Sequence, residues 1–174
     1  MFDDVTPFGS ISYSVYSMPL RPATTTDIEP LARLWHDAWQ DGHAAVAPPE
    51  LLSLRTPENF RERVPALLPA TTVFDDNGVL LGFCTIEGDE LNQLFVARPA
   101  RGTGIAAELL ADGEKRLRES GAVTAWLACA IGNERAARFY TKCGWHNAGP
   151  VVTDIPAPTG TIHLDVWRFE KDLA

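Results

Sequence analysis

Apolar residues recur at helical spacing in two long stretches of this chain and at every second position in several short ones. Ile28, Leu31, Leu34 and Trp35 form one stripe, predicting a helix over 27–40. Ile105, Leu109, Leu110 and Leu117 form another, predicting a helix over 104–120 that stops at Gly121. One or two shorter helices are expected within 48–68, one of them over 57–68. A further short helix is expected over 134–143. Strands are expected at 19–23, 71–74, 79–87, 91–96 and 122–129. The second and third of these meet at Asp75-Asp76-Asn77-Gly78, a strong turn signal. Closing strands over 147–153 and 161–170 flank a loop at Pro156-Ala157-Pro158-Thr159-Gly160. Early strands thus pair antiparallel and later ones connect through helices. The expected fold class is α/β in the mixed α+β sense, a mixed sheet with helices on both faces.

The most informative stretch lies between a strand and a long helix: Arg101-Gly102-Thr103-Gly104-Ile105-Ala106. Glycines there let the backbone approach a ligand and aim several N–H groups at one point. The helix N-terminus adds partial positive charge, which suits a diphosphate. Gly102 to Ala107 also fits the dinucleotide pattern G-x-G-x-x-G/A, but that reading needs an acid at the end of the next strand. The stretch 122–129 ends in Cys129 and offers none, and no Gly-Lys-Ser/Thr loop is present. A plain turn that uses glycines for its shape is the remaining alternative.

A second motif follows at Asn133-Glu134-Arg135-Ala136-Ala137-Arg138-Phe139-Tyr140-Thr141-Lys142-Cys143-Gly144-Trp145. Asn133 suits an N-cap, Glu134 a first turn and Gly144 the residue after a helix end. Taken together, the two motifs resemble those of the GCN5-related N-acetyltransferase (GNAT) superfamily. Its cofactor turn, Q/R-x-x-G-x-G/A, is matched at every defined position by Arg101 to Ala106, and its second signature by Asn133 to Trp145. Leu20-Arg21-Pro22-Ala23 with Asp27 is similar to the family's first strand and helix start, so the resemblance runs from about residue 20 to 169.

The resemblance implies a GNAT-like, mostly antiparallel sheet with one splayed parallel strand pair, holding acetyl-CoA as cosubstrate and no metal. It implies cofactor contacts from Leu94, Phe95 and Val96, from Arg101, Gly102, Thr103, Gly104, Ile105 and Ala106, and from Asn133, Arg138 and Tyr140. Tyr140 would act as general acid, since a phenol of pKa about 10 can give a proton to a departing thiolate of pKa about 8.5. Packing on a helix face is the other reading of Tyr140. Glu90 is the candidate general base, with Glu87, Asp89 or a water chain as alternatives. Trp35, Trp39 and His43 are expected on the acceptor side, near His36 and Glu50, although Trp35 reads first as a core residue. The implied reaction is acetyl transfer to a primary amine of a small molecule or peptide by direct attack. Another acyl-CoA donor, or a non-catalytic module that senses acyl-CoA, is the alternative.

Composition narrows the setting. A chain of 174 residues is expected to form a single acyltransferase domain over 18–174, preceded by an extension or extra strand at 1–17. The formal net charge of −8 argues against nucleic-acid binding. No apolar run approaches a membrane span, so no membrane partner is expected. Cys84, Cys129 and Cys143 lack metal spacing and read as reduced core thiols, which with the absence of a signal-peptide pattern suggests a cytoplasmic protein. No histidine partner for a cysteine nucleophile is visible, and a homodimer is compatible with the sequence.

Overall fold

A computed structural model of the chain describes residues 19–174. The expectations for 1–17 lie outside those residues. Seven strands form one sheet in the order β1-β2-β3-β4-β5-β7-β6. They are β1 (Leu20–Pro22), β2 (Thr71–Asp76), β3 (Val79–Glu87), β4 (Glu90–Val96), β5 (Thr124–Ala130), β6 (His146–Ala157) and β7 (Gly160–Asp172). Five helices accompany them: α1 (Ile28–His43), α2 (Pro49–Leu54), α3 (Pro57–Leu67), α4 (Ile105–Glu119) and α5 (Glu134–Lys142).

Local chemistry sets the element ends. Arg21 donates to both oxygens of Asp27, at 2.8 and 2.9 Å, and its Nε donates to Asp75 at 2.8 Å. That one guanidinium ties the first strand, the start of α1 and the β2–β3 turn together. Thr56 caps α3 by accepting from the Asn59 N–H, and Pro57 supplies the first helical residue. The Gly78 N–H donates to Asp75 Oδ1 at 2.6 Å, closing the expected turn.

The apolar faces divide into two layers. Leu109, Leu110 and Leu117 of α4 pack with Tyr140 and Trp145 onto Leu91, Leu127 and Phe169 on one side of the sheet. Trp35, Phe60 and Val64 pack onto Val73 and Phe83 on the other. Helices therefore cover both faces, as the periodicity predicts. Gly113 lets α4 sit close to the sheet, since a Cβ there would lie 2.7 Å from Cys84 Sγ.

Three elements, α1, β6 and β7, run longer than the sequence expectation. The helix expected over 27–40 continues to His43. The closing strands are longer, β6 reaching Ala157 and β7 starting at Gly160, so only Pro158 and Thr159 link them. Pro156 reads as a loop residue in sequence, yet it pairs with Thr161. The sheet order explains this, because among the described residues β6 is an edge strand and a proline there need not donate to a further neighbour.

Two features of β4 create the site. First, Thr85 faces Gln93 and Ile86 faces Leu91, leaving Asn92 as an extra residue in a bulge. The bulge reverses the alternation. Leu91 and Leu94 both pack on the α4 side, whereas Phe95 packs with the α1–α3 layer. Second, β4 and β5 run parallel but register only at Glu90 with Trp126. Beyond that pair the strands diverge, as expected of a splayed parallel pair.

Candidate active site

The divergence of β4 and β5 opens a cavity of about 690 Å3, within the size range of small-molecule sites. At one end lies the glycine turn. Gly102 and Gly104 have φ of 80° and 96°, where an L side chain would be strained, and nothing lies within 4 Å of an added Cβ at either. Thr103 Oγ1 donates to the Ala100 carbonyl at 2.6 Å and braces the loop. The N–H groups of residues 102–106 donate to no backbone carbonyl among the described residues. Those donors, at the start of α4, fit a diphosphate.

Arginines surround this turn. Arg101 Nη2 lies 3.1 Å from Asp41 Oδ2, and Arg98 Nη1 lies 3.8 Å from Asp41 Oδ1. Arg101 is thus ion-paired to Asp41 at the mouth of the turn while still lining the cavity. Arg135 joins the cluster. Partial burial, then the like charges of Arg101 and Arg98, pull its pKa below the ordinary value while Asp41 opposes them. One carboxylate among three guanidiniums leaves the turn electropositive.

Leu94, Phe95 and Val96 all line the cavity and are half-buried. Asn133 also lines it, and its Oδ1 accepts from the Ala136 N–H at 3.3 Å, so it caps α5 as expected. Arg101, Gly102, Gly104 and Ala106 reach the cavity, whereas Thr103, Ile105 and Arg138 do not line it. Ile105 is a core side chain, 6% exposed, so only its backbone faces the turn. Arg138 lies on the exposed side of α5, while Arg135, one turn earlier, faces the cavity. Sequence spacing gives both arginines the same helix, and only its docking chooses between them.

Tyr140 sits where α5 meets the sheet, packed near Phe139, Phe169 and Trp145. Trp145 Nε1 donates to Glu114 Oε1 at 2.8 Å, and Lys171 Nζ donates to the same carboxylate, anchoring the end of α5 to α4 and β7. Tyr140 is 8% exposed and lines the cavity. Burial, with the neighbouring Cys129, Cys84 and Cys143, holds its pKa well above the ordinary phenol value. It therefore stays a neutral O–H donor. Burial also pushes the Cys84 thiol up to about 12 and the Cys129 thiol up to about 11, so both are protonated at neutral pH. Neither is a ready nucleophile.

Glu90 lines the cavity, whereas Glu87 and Asp89 do not. Asp89 Oδ1 instead accepts from Trp126 Nε1 at 3.0 Å. Burial raises the Glu90 pKa, an Asn92 hydrogen bond opposes the rise, and Glu87 and Asp89 add to it. Such a carboxylate is a stronger base than an exposed one.

The side of the cavity where the acceptor is expected is built by α1. Trp35, Trp39 and His43 follow at four-residue steps and line the cavity. Trp35 is 1% exposed and packs edge-on against Phe60 and Phe83, which bears out its reading as a core residue. His43 stacks on Trp39 at 5.1 Å, and its Nδ1 lies 3.1 Å from the Trp39 carbonyl, so Nδ1 carries the proton and donates. Burial lowers its pKa and keeps the ring neutral. His36 and Glu50 do not line the cavity, but Arg55 and Arg63 do. Their sequence positions, at the end of α2 and within α3, carry no pattern that marks them.

Comparison with known proteins agrees with this geometry. A family model described as the Acetyltransferase (GNAT) family matches residues 28–145. The chain belongs to that family and is an acyltransferase of the N-acetyltransferase type. No curated protein matches the sequence. Among solved structures, a GCN5-related N-acetyltransferase from Rhodopseudomonas palustris is similar, with TM-score 0.70 and 21% identity, covering 90% of this chain and 96% of that one. An N-acetyltransferase from Staphylococcus aureus Mu50 gives TM-score 0.66 at 22% identity, covering 89% and 98%. The paia N-acetyltransferase from Thermoplasma acidophilum, solved in complex with coenzyme A, gives TM-score 0.63 at 19% identity, covering 88% and 97%. At these identities the likeness shows the fold. Among the described residues no helix is long and apolar enough to cross a membrane, and no cluster of metal-ligating side chains occurs.

Proposed function

We propose that this chain moves the acetyl group of acetyl-CoA to a primary amine of a small molecule or peptide by direct attack. One observation carries the reading. β4 and β5 register only at Glu90 and Trp126, and the gap beyond leads to the turn of unpaired N–H groups at 102–106. When bound, acetyl-CoA would supply an activated thioester. The 102–106 amides hold its diphosphate, with Arg101 and Arg135 adding positive charge. The β4 edge beyond Glu90 has no β5 partner, so the backbone groups of Leu94 and Val96, which alternate away from β3, are available to a pantetheine arm.

Glu90 accepts the amine proton, directly or through a water, because it is the cavity-facing carboxylate of the 87–90 group. Tyr140 directs its O–H at the departing sulfur. Its raised pKa makes full proton transfer uphill, so it acts chiefly as a hydrogen-bond donor to the developing thiolate. His43 presents Nε2 on the acceptor side as an acceptor of hydrogen bonds.

Thiol release from acetyl-CoA, measured across a panel of amines with the products identified by mass, tests the proposal. N-acetylated products are expected. A clear preference for succinyl- or propionyl-CoA, or acylation at oxygen, would overturn it.

A further inference from the structure

The acceptor end of the cavity holds two arginines that no described carboxylate neutralises. Arg55 ends α2 and Arg63 lies in α3; both are half-buried and both line the cavity. Arg55 Nη1 donates to the neutral Asn59 Oδ1 at 3.0 Å. The Arg63 guanidinium lies over the Trp35 ring, 4.3 Å from its centroid, and 5.8 Å from that of Phe60. Neither makes an ion pair among the described residues. Arg61 supplies the contrast. It lies about 200° around α3 from Arg63, on the solvent side, and pairs there with Glu29. The exposed arginine has its carboxylate, and the cavity-facing one has none.

Two unpaired guanidiniums in a half-buried pocket are unfavourable on their own. Removing each from water costs free energy that an opposite charge usually offsets. Here they also repel each other. Burial, then the charge of Arg55, brings Arg63 down to about 10, which still leaves it charged at neutral pH. The carboxylates lining the cavity pair with neither arginine. Asp154 accepts from His163 at 2.6 Å, and Glu90 accepts from Asn92 at 3.2 Å. The cavity is therefore polarised, with a carboxylate beside the splay and two guanidiniums under α1. An acceptor with a positive and a negative end matches that field.

We propose that the acceptor is an amine that also carries an anionic group, a carboxylate or a phosphate, held by Arg55 and Arg63 while its nitrogen faces Glu90. The proposal rests on the N-acetyltransferase reading above. It runs against the simplest inference from the net charge of −8, which favours a purely cationic amine. The local field at the pocket, not the total charge, selects what binds there.

Matched amines test it. Each member of a set carries a carboxylate, a phosphate or a carboxamide on the same skeleton, and thiol release gives kcat/KM. One of the two anionic members is expected to exceed the carboxamide by about 50-fold or more, and which one leads tells carboxylate from phosphate. In Arg63→Met, which keeps an apolar stem over Trp35, and in Arg55→Gln, the ratio should shrink to about 5-fold, mainly through KM. A wild-type ratio near one, or an unchanged ratio in both folded variants, overturns the proposal. A second measurement needs neither variants nor turnover: tryptophan fluorescence of the wild type titrated with N-acetylated amino acids, N-acetylated aminoalkyl phosphates and the matching amides. Preference for an anion without thiol release would keep the anion site and sink the transferase reading. Turnover with no anion preference would do the reverse. Equal binding of anions and amides overturns the anion site whatever the turnover.

Discussion

Glu90 and Trp126 form the single register pair between β4 and β5, and Trp126 also donates through its ring nitrogen to Asp89, the neighbour of Glu90. The residue that closes the parallel pair is therefore also the carboxylate that faces the cavity. Strand closure and the cavity-facing carboxylate meet at one residue, and the Asn92 bulge reverses the side-chain alternation immediately after it. A substitution at Glu90 tests catalysis, whereas one at Trp126 tests how far the strands splay.

Replacing Glu90 with Gln should lower turnover at neutral pH by about 100-fold, the usual scale for a lost general base. The sign follows from its raised pKa. The wild type should lose activity on acidification at a higher pH than an ordinary carboxylate would dictate, and Glu90→Gln should lack that limb. The gap should narrow at high pH, where the amine is already deprotonated. Parallel pH–rate profiles for the two proteins would remove Glu90 from this role.

Tyr140→Phe should slow turnover by roughly 10- to 1000-fold with cofactor affinity nearly unchanged. Thermal stability should shift little, since phenylalanine keeps the ring packing against Phe139, Trp145 and Phe169. A large fall in melting temperature with unaltered turnover would assign Tyr140 to packing alone.

Gly104→Glu should weaken acetyl-CoA binding by at least about 10-fold, measured by isothermal titration. The added carboxylate opposes a diphosphate at the helix start. The φ of 96° also imposes strain of about 1 kcal/mol on any L side chain. Equal affinities for wild type and variant would displace the cofactor from this turn.

The Arg21–Asp27 pair predicts an acid-sensitive fold. Hydrogen bonds from Arg21 hold the Asp27 carboxyl below its ordinary value, against the opposing effect of burial. A depressed carboxyl adds stability that is fully present above its unfolded pKa of about 4 and is lost as pH falls through the folded value. Asp27→Asn should cost about 2 kcal/mol at pH 7, less than a fully buried pair because 34% of the Arg21 side chain is exposed. The difference between wild type and variant in urea melts should shrink below pH 4. A constant difference across that range would refute the assignment.

Periodicity, glycine placement and capping residues by themselves determine most of this architecture. Alternation marks the strands, the 3.6-residue stripes mark α1 and α4, and Asn133 with Gly144 brackets α5. These are local signals, because each reports a residue's own backbone preference or its neighbours three or four positions away. The turn at 101–106 is legible for the same reason. Other features depend on contacts distant in the chain. A bulge is a mismatch between two strands, so β4 alone does not reveal that Glu90 and Phe95 turn toward the α1 face. Arg135 and Arg138 are equivalent in sequence, and the docking of α5 sends only Arg135 to the cavity. Pro156 belongs to a strand because β6 ends the sheet, a matter of strand order. Arg55 and Arg63 gain meaning only when α2 and α3 fold against Trp35, since a missing counter-charge is a property of three-dimensional surroundings and not of any sequence window.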